Sequence, residues 1–311
     1  MSPAVGLRGV QSWLRHLDDV DLELACTEHP APEAGPAGRS VVRLTTCAAA
    51  VPVHELVELL LLGADRVRVR LDGCGDADGA RAHLAPVLGV LAAAGVDRLS
   101  VSEAAVTEPV TAGPVLRRLR HPRGLRRRPV LDAGHMPLPR RQVLGLPGRP
   151  GRDLPGEHLD PQERLVAAVR ALVPDGVAGL DTLASPAPQL AAQGCTACGV
   201  CVQACPADVL RLRHAGGVTT LLHEPAGCDG CGDCVAMCPQ DVLTQTGTWS
   251  WADVLAGPTA AVTTLMTARC ERCRTRFPTT SGDRLCPVCR YRRANPFGSS
   301  MPPGVLAGAG R

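Results

Sequence analysis

The chain has 311 residues, enough for about two domains with a buried core. Its net charge is only +3 and aromatics make up 2% of it, so it lacks both the electrostatic footprint and the stacking platforms of a nucleic-acid binder. Every basic residue is Arg, and the most apolar stretch, residues 47–62, is broken by His54, Glu55 and Glu58, which excludes a membrane span there.

The opening residues do not read as a secretion signal, because Trp13, Arg15, Asp18 and Asp19 stand where an apolar core belongs. With fifteen cysteines, many in metal-type spacings, a reducing cytoplasm is the expected compartment. Residues 1–106 then alternate as an α/β unit. Strand-like runs fall at 21–25, 41–45, 67–71 and 98–101, with helical runs at 53–62 and 80–94 between the last three. Pro52 fits the first turn of one helix, and Gly63 and Gly95 fit the stops after both. Such β-α-β-α-β units build a parallel sheet with helices on its faces.

Cys26, Cys47 and Cys74 each follow a predicted strand, and the carboxyl ends of parallel strands share one edge, where such sheets bind ligands. Two readings stand side by side. The three thiols converge on a redox or metal site, or they are separate small buried hydrophobes. The stretch 43–74 resembles the iron-sulfur (delta) subunit of methyl-viologen-reducing hydrogenase, in which a Cys follows one strand, a helix leads to a Gly-Ala-Asp turn and the next strand ends in Gly-Cys. Here the matching residues are Cys47, Gly63-Ala64-Asp65 and Gly73-Cys74. The resemblance covers roughly residues 20–105. It implies a 2Fe-2S cluster and a relay between a hydrogenase and a heterodisulfide reductase. The chain departs from that pattern at Gly75-Asp76-Ala77, where a further Cys is expected, and three sulfurs do not complete a four-Cys cluster.

Residues 107–157 are rich in Pro, Gly and Arg, with seven Arg from Arg117 to Arg128, and read as an irregular solvated linker able to steer an acidic partner. In the lead-in segment 158–192, Asp160-Pro161-Gln162-Glu163 is a helix start of the capping-box type. The apolar spacing Leu165, Val166, Val169, Leu172 runs on to Pro174 in a helix expected to pack on the segment that follows.

That segment, 193–248, carries two copies of C-x2-C-x2-C-x3-C-P: Cys195, Cys198, Cys201, Cys205-Pro206 and Cys228, Cys231, Cys234, Cys238-Pro239. Ten of sixteen positions match at a spacing of 33 residues, including Gly199/Gly232, Val202/Val235 and Asp208/Asp241. Three closely spaced thiolates wrap one corner of an iron-sulfur cube while the fourth ligates the other cube. The spacing therefore assigns Cys195, Cys198, Cys201 and Cys238 to one 4Fe-4S cluster and Cys228, Cys231, Cys234 and Cys205 to a second. Gly199 and Gly232 are expected to let the backbone turn closely around sulfur. Residues 209–213 and 218–223, joined by Ala215-Gly216-Gly217, read as a hairpin long enough to protrude. This stretch resembles the two-cluster ferredoxin of the clostridial type, an α+β fold. A zinc array or a disulfide framework is disfavoured by the nested spacing.

After a connector at 249–267, the module 268–293 holds Cys270-x2-Cys273, twelve residues, then Cys286-x2-Cys289. Two such knuckles suit a tetrahedral four-thiolate site and look like a zinc ribbon, with rubredoxin-like iron as the lesser reading because the gap is short. A nucleic-acid role for its Arg residues (Arg269, Arg272, Arg274, Arg276, Arg290, Arg292, Arg293) ranks below a structural one, and residues 294–311 read as a disordered tail. Together these features point to a cytoplasmic electron-transfer protein or subunit, non-catalytic by itself, serving a larger oxidoreductase. The rivals are a thiol/disulfide reductase subunit using Cys47 and Cys74, and a redox-sensing regulator. Full Cys ligation with little positive charge inside the motifs suggests the low end of the range of about −700 to +450 mV open to such clusters.

Overall fold

The structure, a computed structural model, describes residues 6–17, 20–34, 39–103, 129–173, 179–279 and 282–296. The Arg117–Arg128 run and the end of the chain beyond residue 296 lie outside them. Contacts divide the chain into two units, Met1–Leu183 with Ser250–Leu255, and Ala184–Trp249 with Ala256–Arg311.

The first unit is an α/β domain. Helix α1 (Arg8–Leu14) leads into β1 (Val20–Ala25), every residue of which is buried, as befits a strand covered on both faces. β1 is flanked by β2 (Arg39–Arg43) and, after helix α2 (Val53–Leu61), by β3 (Ala64–Arg70); Leu24 lies opposite Val42 on one side and Val69 on the other. Helix α3 (Ala77–Ala93) then returns the chain to β4 (Leu99–Ser102) beside β3. A fifth strand, β5 (Leu131–Asp132), pairs with β2, so the all-parallel sheet has the order β4-β3-β1-β2-β5. β5 and the short α4 (Arg140–Val143) fall in the stretch whose composition reads as linker. A two-residue strand is too short to print a period in sequence. Gly63 and Gly95 do close their helices with positive φ, whereas Pro52 is the N-cap residue of α2, one position before the expected first turn.

Buried charges are paired inside this unit. Glu23 of β1 takes Arg39 at 3.0 Å and Arg70 at 3.8 Å, and Arg70 also grips Asp72. Helix α5 (Pro161–Leu172) starts after Asp160 as expected, although the Asp160 side chain makes no cap bond. α5 lies against α2 within the first unit, where Glu58 anchors it. The Glu58 carboxylate, 1% exposed, accepts both prongs of Arg164 at 2.9 and 2.7 Å and the Gln11 amide at 2.7 Å. An Arg164→Met variant, which keeps the stem but removes the fork, is expected to lose about 3–5 kcal/mol in urea unfolding of this unit, since it strands a buried carboxylate. A loss under about 1 kcal/mol, the range of an exposed pair, contradicts that reading of the contact.

The second unit begins with β6 (Ala184–Ala192), α6 (Val200–Ala204), β7 (Leu210–Ala215), β8 (Val218–His223), α7 (Asp233–Ala236) and β9 (Leu243–Ser250). After α8 (Trp251–Ala256), most of which belongs to the first unit, come β10 (Ala260–Arg269), β11 (Arg276–Pro278) and α9 (Pro287–Ala294). β6 and β9 form a two-stranded sheet, with Thr246 bonding Gln189 and Thr244 bonding Ala191, so the strands run in opposite directions. β7 and β8 form the expected hairpin through Gly216-Gly217, Gly216 having φ +58°. The hairpin does not stand free: β8 pairs with β10, which in turn pairs with β11. The stretch 249–267 therefore supplies a central strand of a four-stranded sheet.

Candidate metal centres

The duplicated segment repeats its backbone as well as its residues. Gly199 and Gly232 cap α6 and α7 with φ of +80° and +81°, Asp208 and Asp241 both have φ +52°, and Ala197 (φ +54°) corresponds to Gly230 (φ +79°). The reason for Gly199 and Gly232 is this positive φ, which costs other residues more. Space around sulfur is not the constraint, since a Cβ would meet Leu212 at 3.5 Å and Gln245 at 4.0 Å, ordinary contacts. Gly230 is different: a Cβ there would stand 2.4 Å from the Pro186 carbonyl, a contact with no local signal in the sequence.

Each copy folds around a cavity. One, partly open to solvent, is lined by Cys195, Cys198 and Cys201 together with Cys238 from the second motif. The other is lined by Cys228, Cys231 and Cys234 together with Cys205 from the first. Between them lies a small core of Ala192, Leu210, Leu221 and Leu243, against which five of these cysteines pack. The two linings are chemically unequal. Leu212 and Leu221 wall the first cavity. The second has His223, buried, with neither ring nitrogen partnered among the described residues and its pKa lowered to about 4 by burial, so the ring is neutral at pH 7.

Burial pushes Cys201 and Cys228 up to about 11, helped by neighbouring sulfurs or by Asp229, and burial also raises Cys234. Cys238 goes the other way. Burial would raise it, but backbone N–H groups of Gln240, Val242, Leu243 and Asp241 are turned to its sulfur and leave it lowered. Apolar walls that disfavour bare thiolates suit a multi-atom cationic core that brings its own charge to every sulfur.

Cys270, Cys273, Cys286 and Cys289 place their sulfurs within 4.8 Å of one another, with Cys273 and Cys286 3.7 Å apart. Thiolates at about 2.3 Å from one tetrahedral ion stand about 3.8 Å apart, so this is single-ion spacing. The first knuckle is closed by Arg274 N–H to the Cys270 carbonyl, with Arg274 at φ +65°, and the second by Cys289 N–H to the Cys286 sulfur at 3.4 Å. Backbone N–H groups of Cys273 and Cys286 lower Cys270 to about 6, whereas burial pushes Cys289 up to about 12.

In the first unit, Cys26, Cys47 and Cys74 do converge at the carboxyl ends of β1, β2 and β3, with Cys47 and Cys74 sulfurs 3.5 Å apart. They are joined by a residue that sequence reasoning missed. A Glu28 carboxylate oxygen lies within 4.8 Å of all three sulfurs. The available signal was its place two residues after Cys26 on the same edge. Burial pushes Cys74 up to about 12, reinforced by Cys26 and Cys47, the mark of crowded thiols lacking a counter-charge.

Against known families, residues 194–242 match the 4Fe-4S dicluster domain. No curated protein matches the chain. Among the described residues no helix is long and apolar enough to cross a membrane.

Proposed function

We propose that this chain is an electron-transfer protein or subunit that holds two 4Fe-4S clusters crosswise and relays single electrons to or from a larger oxidoreductase of the hydrogenase or heterodisulfide-reductase kind. The observation that carries the reading is the exchange of fourth ligands: Cys238 lines the cavity of the Cys195 trio and Cys205 that of the Cys228 trio. Clusters of this type supply one-electron chemistry at a potential set by burial, hydrogen bonds to sulfur and local charge. The chain's own residues do the tuning. Leu212 and Leu221 give one site an apolar wall, backbone N–H groups at 240–243 favour the thiolate of Cys238, and His223 offers the other site an N–H donor.

The arrangement resembles a clostridial-type ferredoxin segment to which β10 attaches a zinc-ribbon-like module. In that module Cys270, Cys273, Cys286 and Cys289 hold zinc in a structural role. A parallel sheet with thiols at its carboxyl edge supports the hydrogenase-delta resemblance of the first unit, and with it a protein redox partner over a nucleic acid.

Anaerobic metal analysis and redox-titrated EPR test this. About eight irons per chain and two reducible centres are expected. His223→Leu removes a neutral donor that favours the reduced, more negative state. It is expected to lower one midpoint, and only one, by on the order of 40–60 mV, the equivalent of a hydrogen bond of about 1 kcal/mol at 59 mV per tenfold. Iron at four or fewer per chain in the wild type would sink the two-cluster reading.

A further inference from the structure

The delta-subunit resemblance implies a 2Fe-2S cluster at the sheet edge, and the residues there do not fit one. Two iron ions with bridging sulfides hold the thiolates of opposite irons well apart. Around a single ion no two donors can be further apart than twice the bond, about 4.6 Å for thiolate, and tetrahedral geometry brings them to about 3.8 Å. The donors of Cys26, Glu28, Cys47 and Cys74 all lie within 4.8 Å of one another, and the Cys47 and Cys74 sulfurs are 3.5 Å apart.

We propose that these four residues form a mononuclear site for a divalent ion of the zinc class, with three thiolates and the Glu28 carboxylate as ligands. The donor set is of the kind a borderline-soft tetrahedral ion takes, and it closes the shell that three sulfurs alone leave incomplete. The ligand loops are held in register by bonds that do not use the donors themselves. Arg43 donates to the carbonyls of His29 at 2.8 Å and Pro30 at 3.2 Å, fixing the loop that carries Cys26 and Glu28. His29 meets Asp72 at 3.0 Å, tying that loop to the one that carries Cys74. Glu28 is aimed by the Gly75 N–H at 2.6 Å, and a Cβ on Gly75 would stand 2.7 Å from the same oxygen, so the residue in the place of the expected further Cys seats the carboxylate instead. Such outer contacts orient ligands in metal sites generally. Cys26 is fully buried and Glu28 exposed, so the ion is approached from the Glu28 side.

The test uses the full chain, purified anaerobically, with Cys270→Ser and Cys273→Ser introduced so that the C-terminal site takes no ion. One zinc per chain is expected to remain. Cobalt in its place should give tetrahedral d–d bands with thiolate charge transfer. Adding Cys74→Ser should abolish both. Glu28→Gln, at an exposed position that cannot unfold the domain, should bind the ion but release it to a chelator at least about tenfold faster. Three results would overturn the site: no divalent ion in the double-serine background, iron and sulfide in equal amounts that vanish with Cys74→Ser, or a Cys47–Cys74 disulfide in metal-free protein. Release from Glu28→Gln at the parent rate would overturn the carboxylate's place in it. Because iron at the dicluster segment is counted separately, failure here is distinct from failure of the two-cluster reading.

Discussion

Cys205→Ser is expected to share its spectroscopic defect with Cys234→Ser and not with Cys201→Ser, although Cys205 and Cys201 stand four residues apart in one motif. The reason is the path of α6. The helix starts at the left-handed Gly199, keeps Cys201 on the wall of the cavity beside Cys195 and Cys198, and delivers Cys205 in extended conformation to the wall of the other cavity. Under crossed ligation a serine at 205 or 234 therefore damages the same cluster. Iron should fall from about eight toward about four per chain in both, and the surviving EPR signal should have one and the same midpoint. Cys201→Ser and Cys238→Ser should form the complementary pair, leaving the other midpoint. His223→Leu then supplies a cross-check, because it should move the signal that survives in Cys201→Ser and leave unmoved the signal that survives in Cys205→Ser. Cys205→Ser grouping with Cys201→Ser would mean that each motif ligates its own cluster, and the crossed assignment would be lost.

Much of the architecture was legible because it is written in local periods. The strands and helices of the first unit announce themselves through apolar runs and through Gly63 and Gly95, and the paired cysteine motifs through a repeat of 33 residues that the backbone dihedrals copy. The parts that stayed hidden depend on contacts between residues far apart in the chain. Nothing around Arg164 says that its partner is Glu58, 106 residues earlier, so the packing of α5 on α2 is not legible in the sequence. β5 is two residues long and leaves no period, and β10 reads as connector because its alternation of Ala, Thr, Leu and Met is weak; its pairing with β8 and β11 defines it. Glu28 escaped for a related reason. An exposed Glu near a turn is ordinary in sequence, and only the meeting of three strand ends sets its oxygen among three sulfurs.

Withdrawing the ion from Cys270, Cys273, Cys286 and Cys289 is expected to unfold the end of the chain from about residue 270 while the strands before it persist. The module has almost no core of its own. Its buried residues are Cys270, Cys286, Cys289 and Phe277, with Cys273 exposed and Ala268 and Leu285 only partly covered. One buried Phe contributes about 1.5–3 kcal/mol, far below the roughly 10–16 kcal/mol that structural zinc supplies to small modules. β10 has separate support, because it pairs with β8 from Ala260 to Met266 and shares the buried Thr219–Thr267 hydroxyl contact. Trypsin reads the difference, since eight of the chain's arginines fall from Arg269 to Arg293. With metal bound these sites should resist cleavage; after chelation, or in Cys286→Ser, cuts should appear after Arg272, Arg274 and Arg276 while iron content is unchanged. The ligands must be deprotonated, and Cys289 is the thiol that burial holds protonated most firmly, so metal loss to a chelator should accelerate as the pH falls. A zinc-free module that stays protected from trypsin would show that Phe277 and the sheet suffice, and would take from the four cysteines their structural role.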